Sequence, residues 1–323
     1  MIERYIRQNA RQPWLTILMP SHRGEQWIDT TLRSVAAEAD DGLEIIIIDS
    51  SPDTETLHIS RRFADSIRLR FYERPDVLGW PTKMNLGMSL ASATHVCLLH
   101  QDDVWLPGRA AAVRSWIELA PEAALHLAPT AIIDTQGRKL GTWHCPLPTE
   151  RPIQRDLLIS RLLVQNFVAI PTPVFTKTAW ESCGGMDQAL WYTADWDLWL
   201  KLASYGPVIY HEEVTTGFRI HAGSLTVMGS RNLDDFTSQM ETVLNRHLPL
   251  IGENSRAVER AARASIAVNT ALASASAGSP RFLWRAASEV LSLGPYGLQR
   301  YLRDSRLVER VAPRVRAKLK GAF

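Results

Sequence analysis

Apolar positions in the first hundred residues alternate between two periods. The run WLTILMP (14–20) is short and apolar and closes on a proline, as a buried strand would. The segment GEQWIDTTLRSVAAEA that follows places Trp27, Ile28, Leu32 and Val35 at helical spacing. LEIIIIDS (43–50) is a β-branched run suited to a strand covered on both faces. TETLHISRRFA then reads as a helix, IRLRFYE as a strand, PTKMNLGMSLASA as a helix and HVCLLH as a strand. Strand and helix in such steps imply crossover units and a mainly parallel sheet. Ligands of such sheets bind outside the carboxyl ends of the strands. Polar residues collect there: Ser21 and His22 after the first strand, Asp49 after the second, and His100 to Asp103 after the fourth.

The middle of the chain is less regular. PTAIIDTQGRKLG predicts a hairpin around Gln136 and Gly137, and NFVAIPTPVFTKTAWESCGGMD predicts loop and short strand beside a cleft. Helical spacing returns in DWDLWLKLASYG (195–206), through Trp196, Leu198, Trp199 and Leu202 to a stop at Gly206. From about residue 234 the pattern is helical throughout, broken by SASAGSP (274–280). No internal repeat is visible.

Composition narrows the class. The chain has 323 residues, 46% hydrophobic and 22% charged, with net charge +2, which allows one large domain with an appendage or two domains. No apolar run reaches the roughly 18 residues of a membrane span, and MIERYIRQNARQPW lacks the apolar core of a secretion signal, so the expectation is a cytoplasmic protein. Cys97, Cys145 and Cys183 stand at unrelated spacings, suggesting neither a disulfide framework nor a zinc site. Of eleven tryptophans, Trp80, Trp105, Trp191, Trp196 and Trp199 gather near the polar strand ends; indole faces pack cores and sugar rings alike. Residues 281–320 hold ten Lys or Arg against Glu289, Asp304 and Glu309, leaving the rest slightly acidic. That asymmetry points to an anionic partner for the tail.

THVCLLHQDDVWLPGR (94–109) carries the chemistry. A buried strand that ends in His100, Gln101, Asp102 and Asp103 either holds a cation or opens into a solvated loop. Hard divalent cations take oxygen ligands, and Mg²⁺ or Mn²⁺ usually joins one or two carboxylates to substrate phosphates. An acidic strand end in a parallel sheet therefore suggests a nucleotide-diphosphate ligand without naming a reaction.

Five segments in order carry a resemblance: ILMPSHRGEQWIDTTLRSV, EIIIIDSSPDTE, LGWPTKMNLGMSLASATHVCLLHQDDVWLPGR, GGMDQALWYTADWDLWLKLA and FRIHAGSLT. From about Leu15 to Thr226 the chain resembles a family-2 glycosyltransferase of the GT-A fold. The resemblance implies an α/β catalytic domain over 1–230, with a nucleotide-sugar half to about 105 and an acceptor half from 106, and a basic helical region over 231–323. It implies an inverting transfer from a UDP- or dTDP-sugar to a hydroxyl of a saccharide or lipid-linked acceptor in polysaccharide synthesis, with Mn²⁺ or Mg²⁺ and without nucleic acid.

Residue by residue, Asp49 matches the aspartate that bonds the donor's pyrimidine, or else it caps its own turn; Ser50, Ser51 and Pro52 alter the usual sequence after it. Ser21 and His22 fall beside the nucleotide, where His22 and Arg23 replace the usual Tyr-Asn. Lys83 and Asn85 match a basic residue and an Asn near the diphosphate. HQDD falls on the Asp-x-Asp motif: Asp102 is the expected metal ligand, His100 replaces the first Asp at the ribose or a metal-bound water, and Gln101 and Asp103 complete the loop. His221 matches a second metal ligand across the cleft, and Arg219 meets the diphosphate or pairs with an acid. In TADWD, Asp195 matches the general base, while Ala194 stands where Glu is common. Asp197 should point elsewhere and pair with Lys201 at i,i+4.

Two other functions compete. A nucleotidyltransferase would need a Gly-rich loop after the first strand, and MPSHRGEQW has one glycine. A non-catalytic homologue that binds sugar nucleotides would tolerate His100. The apolar side of the tail (Phe282, Leu283, Trp284, Leu291, Leu293) among many arginines suits an anionic membrane surface, packing on the catalytic domain, or a homodimer.

Overall fold

The structure is a computed structural model that describes residues 2–5, 12–252 and 255–319. The first half runs β1 (Ile2–Tyr5), β2 (Leu15–Ser21), α1 (Ile28–Ala36), β3 (Leu43–Asp49), α2 (Glu55–Arg61), β4 (Arg68–Glu73), α3 (Trp80–Leu90) and β5 (His95–Leu98). Next come β6 (Val104–Trp105), α4 (Arg109–Leu119), β7 (Leu125–Leu127), β8 (Thr130–Ile133), β9 (Lys139–Trp143), α5 (Arg155–Val164), β10 (Val174–Thr176) and α6 (Lys177–Ser182). They lead to α7 (Ala194–Leu202), β11 (Val208–Tyr210), β12 (Thr216–Arg219) and α8 (Leu225–Gly229). Five helices close the chain: α9 (Leu233–His247), α10 (Ser255–Ser276), α11 (Leu283–Leu291), α12 (Gly294–Ser305) and α13 (Leu307–Leu319).

Apolar sequence sets the centre of the main sheet. All seven positions of β2 and all seven of β3 are buried, because helices cover both faces. Period two sorts their side chains. Ile45 and Ile47 join Ile17, Leu32 and Val113 on one face, while Ile46 and Ile48 join Leu18, Met84 and Trp199 on the other. The strand order is β1-β4-β3-β2-β5-β10-β7-β11, with β4, β3, β2 and β5 parallel and β10 antiparallel to both neighbours. The fold is thus α/β with a mostly parallel sheet, as the alternating pattern predicts. In-register pairing sets Ser21 opposite Asp49, and β5 beside β2 delivers His100 to Asp103 to the same edge.

A second sheet, β6-β12-β8-β9, supplies the opposite wall. Its β8–β9 hairpin turns where Gln136 and Gly137 predict it. Asp134 Oδ1 accepts from the N–H groups of Gln136 and Arg138, and Gly137 takes the positive φ (78°) that such a turn requires.

The helices after residue 231 pack into the same core as the main sheet. Val243, Leu244, Val258, Ala261 and Tyr301 lie in one cluster with Leu158, Leu162, Trp196 and Trp199. The last helix, α13, returns to the small sheet, where Ala317 is buried with Ile132, Leu140 and Ile220 and an Arg316 Nη1–H donates to Leu140 O at 2.8 Å. Among the described residues no helix is long and apolar enough to cross a membrane.

Candidate active site

A cleft of about 1150 Å³ opens between the carboxyl ends of β2 and β5 and the walls formed by β12, α7 and α13. That volume exceeds a typical small-ligand pocket and leaves room for two substrates. Ser21, His22, Lys83, His100, Gln101, Asp102, Asp103, Asp195, Arg219 and His221 all line it. Asp49 does not.

At one wall Asp102 Oδ2 and His221 Nε2 meet at 2.9 Å. Burial works against the Asp102 charge, but the His221 bond and the imidazoles of His100 and His221 hold the carboxyl below its usual range. The His221 ring leans on Trp27 with centroids 5.4 Å apart. His100 sits edge-on to Trp80 at 5.2 Å, and among the described residues its buried Nε2 has no hydrogen-bond partner. Desolvation lowers its pKa and keeps it neutral, against the opposing pull of Asp102. A carboxylate and an imidazole that meet at one wall of a cleft, beside an unbonded ring nitrogen, fit a borderline divalent cation.

Asp103 and Arg219 hold this wall in place. Asp103 is almost fully buried, and its Oδ1 accepts from the Arg219 backbone N–H at 2.9 Å. Burial and the neighbouring Asp102 push its carboxyl well above the usual range. Arg219 Nε–H donates to Asp102 O at 2.7 Å and an Nη1–H to Asp134 O at 2.8 Å, with the guanidinium 4.8 Å over the Trp27 ring. Arg219 therefore ties β12 and the hairpin to the Asp102 loop. Thr31 Oγ1 adds bonds to Gln101 O and Asp103 O at 2.7 and 2.8 Å.

On the strand-end side, Gln101 grips the loop after β2. Its Oε1 accepts from the His22 N–H and Ser21 Oγ, and its Nε2–H donates to His22 O. That grip explains Gly24, where a Cβ would lie 2.9 Å from Gln101 Oε1. His22 Nδ1 lies 3.0 Å from Ser50 O. Lys83 Nζ, almost fully buried, donates to Ser21 O and Ser50 Oγ at 2.6 and 2.7 Å. Burial lowers its pKa to about 8, with the Asp49 charge opposing. Asp49 itself closes its own turn: Oδ2 accepts from Ser51 N–H at 3.1 Å and Oδ1 from Ser51 Oγ at 2.9 Å. Asn85 is likewise engaged in structure, its amide bonded to the backbone of Met186 in both directions at 2.9 Å.

The opposite end belongs to α7. Asp195 Oδ1 accepts from the Trp196 N–H at 2.7 Å and Oδ2 from Asn166 Nδ2 at 2.9 Å. Val168 N–H donates to Asn166 Oδ1, which fixes the amide so that its NH₂ faces the carboxylate. Desolvation outweighs these bonds and raises the Asp195 pKa to about 6. Asp197 differs in every respect. It is fully buried, with Lys201, Arg246 and His247 at 2.9, 2.8 and 2.8 Å, and these partners depress its pKa despite the burial. The i,i+4 spacing to Lys201 predicts that pair.

Several cleft residues escape sequence reasoning: Trp27, Gln165, Asn166, Arg310 and Arg314. Asn166 follows a helix without any motif, and the arginines lie in a basic tail whose composition gave a charge but no address. A three-residue group that could hold a metal, Glu150, His211 and Glu213 with ligand atoms within 4.8 Å, lies outside this cleft.

The profile described as "Glycosyl transferase family 2" matches residues 16–175. An uncharacterised glycosyltransferase of Rickettsia prowazekii is 24% identical over 72% of this chain and 71% of its own. The amylovoran biosynthesis glycosyltransferase AmsE of Erwinia amylovora is 25% identical over 66% of this chain and 77% of its own. In fold, the chain is similar to S. aureus TarS 1–349, solved in complex with UDP-GlcNAc, with a TM-score of 0.54 and 13% identity over 96% of this chain and 92% of that one. With its parallel sheet, its Asp102 loop and this agreement in sequence and fold, the chain belongs to glycosyl transferase family 2 and has the GT-A fold.

Proposed function

We propose that the protein is an inverting, metal-dependent glycosyltransferase that moves a sugar from a UDP- or dTDP-sugar to a hydroxyl of a saccharide or lipid-linked acceptor in polysaccharide synthesis. The observation that carries this is the state of Asp195. A carboxylate raised to about 6, oriented by Asn166, faces the cleft that Asp102 and His221 wall at another point. An alcohol is far too weak an acid for a carboxylate to ionise beforehand, so Asp195 takes the proton as the acceptor oxygen attacks the anomeric carbon. Attack opposite the leaving diphosphate gives inversion in one displacement. Asp102 and His221 would hold Mn²⁺ or Mg²⁺, which when bound supplies electrostatic stabilisation to the departing diphosphate. Lys83 contributes positive charge near the strand ends, and His100, neutral, can bond a ribose hydroxyl. Gln101, Asp103 and Arg219 keep the loop and β12 in register.

The donor class rests on the family resemblance, on UDP-GlcNAc in the TarS complex, and on the ends of β2 and β3 as the nucleotide side. Asp49 can still accept from a pyrimidine N–H, since each carboxylate oxygen keeps a second lone pair beside its bond to Ser51. Turnover of UDP-, dTDP- and GDP-sugars, with Mn²⁺ and in excess chelator, tests the reading. Release of UDP or dTDP that stops in chelator supports it; full activity in chelator sinks the metal assignment, and no turnover of any donor sinks the enzyme.

A further inference from the structure

Among the described residues, two cationic side chains in the cleft have no counter-charge. Arg310 and Arg314, one turn apart on α13, both line it. Among the described residues neither forms an ion pair. Arg310 donates to Asn269 Oδ1 at 2.6 Å and Ser305 O at 3.3 Å, and Arg314 to Arg310 O at 2.6 Å. A guanidinium carries five N–H donors, so among the described residues most of the donors on this pair have no protein acceptor. Each arginine also meets a cost: burial lowers the pKa of both, and the like charge of Arg310 presses further on Arg314, held down to about 10. Two other arginines of the tail do meet a counter-charge, Arg303 at Asp304 and Arg306 at Glu309. Half-buried guanidinium groups left adjacent and unpaired are a site for an oxyanion.

Their position says which substrate brings it. Asn269, bonded to Arg310, also donates to Gln165 Oε1 at 2.9 Å, and Gln165 precedes the Asn166 that orients Asp195. Tyr192, three residues before Asp195, feels the charges of Arg310, Arg314 and Asp195 together. The arginines thus belong to the end of the cleft that holds the general base. The diphosphate end is centred on Asp102, His221 and Lys83, and among the described residues neither arginine bonds any of these three. We infer that Arg310 and Arg314 recognise an oxyanion carried by the acceptor next to its reacting hydroxyl, either the carboxylate of a uronic acid or a phosphate ester. This rests on the assignment of Asp195 to the acceptor side. It also gives the basic C-terminal region a role in specificity, since α13 is fixed on the small sheet with the pair turned inward.

Binding of matched probes tests it, by calorimetry or saturation-transfer NMR on the full chain with and without UDP. The pairs are p-nitrophenyl β-glucuronide against p-nitrophenyl β-glucoside, and glucose 6-phosphate against glucose. The charged member of at least one pair should bind about tenfold tighter or better, and which pair does so separates uronic acid from phosphate. Arg314→Gln should remove that preference while leaving UDP affinity within about twofold, and Arg314→Lys, which keeps the charge, should retain part of it. A melting curve for each variant excludes misfolding as the cause. Equal binding of charged and neutral probes overturns the inference. So does displacement of the charged probe by UDP, which would put the arginines at the diphosphate. If neither UDP nor dTDP binds but the anion preference is present and lost in Arg314→Gln, the anion site stands and the donor reading fails.

Discussion

At the scale of single residues, the titrating groups of the cleft make the account quantitative. Asp195 must be ionised to accept a proton, so kcat/KM should rise with pH through about 6. Lys83 must be charged to aid donor binding, so kcat/KM should fall again near pH 8. A pH profile measured at low substrate checks both limbs. Stability carries the opposite sign at Asp195. Its folded pKa is raised above the unfolded value of roughly 3.9, so its contribution is full below that value and is lost as pH rises through about 6. Asp195→Asn should therefore melt higher relative to wild type at pH 7.5 than at pH 4.5, and a constant difference would show that the carboxyl is not held in that state. On the metal wall, Asp102→Asn should lower transfer by about 10²-fold or more. His100→Asp should be tolerated, because among the described residues no protein group bonds its Nε2 and a carboxylate can also accept from a ribose hydroxyl. Loss of activity in the latter would make His100 part of the machinery.

At the scale of elements, α7 puts two carboxylates in opposite settings within three residues. Helical geometry sends Asp195 into the cleft and Asp197 inward to Lys201, Arg246 and His247. Breaking a fully buried charge cluster is among the costliest single changes, so Asp197→Asn should lose about 3–5 kcal/mol of stability. Its turnover, measured where it remains folded, should stay near normal; urea melts with parallel kinetics would show this. Strands β2, β3 and β5 were legible as short apolar runs bounded by turn residues, as in LEIIIIDS, and β4 was legible although it alternates with arginines, whereas β1 (IERY) carries no such signal. The hairpin at Gln136–Gly137 was legible for its turn chemistry. The acceptor wall was not: the partner of Asp195 is a loop asparagine 29 residues away in sequence, and its orientation comes from one backbone bond to Val168. Periodicity carries no trace of either.

At the scale of the whole molecule, the tail faces two ways. Charge counting could see its basic excess but not how the helices divide it. Arg310 and Arg314 turn to the cleft, while α11 presents Leu283, Trp284 and Leu291 to solvent near the exposed Tyr296. Leu293, grouped with them by sequence, packs against the core instead. The exposed apolar side chains and the arginines of the tail suit adsorption to an anionic membrane, where a lipid-linked acceptor would be presented. Flotation should recover the protein with anionic liposomes and not with neutral ones, and Trp284→Asp should weaken binding on the order of tenfold. Equal recovery from both lipids, or none, removes this surface from the account. The proposed reaction rests on one carboxylate in a shared cleft taking the acceptor's proton. Single-turnover transfer by Asp195→Asn, with UDP affinity measured on the same sample, tests it most directly, because Asn keeps the size and one hydrogen-bond acceptor but cannot take the proton. UDP binding should be unchanged and transfer slowed by about 10²-fold or more; near-normal transfer in Asp195→Asn, with the loss appearing in Asp197→Asn instead, would mean that Asp195 is not the base.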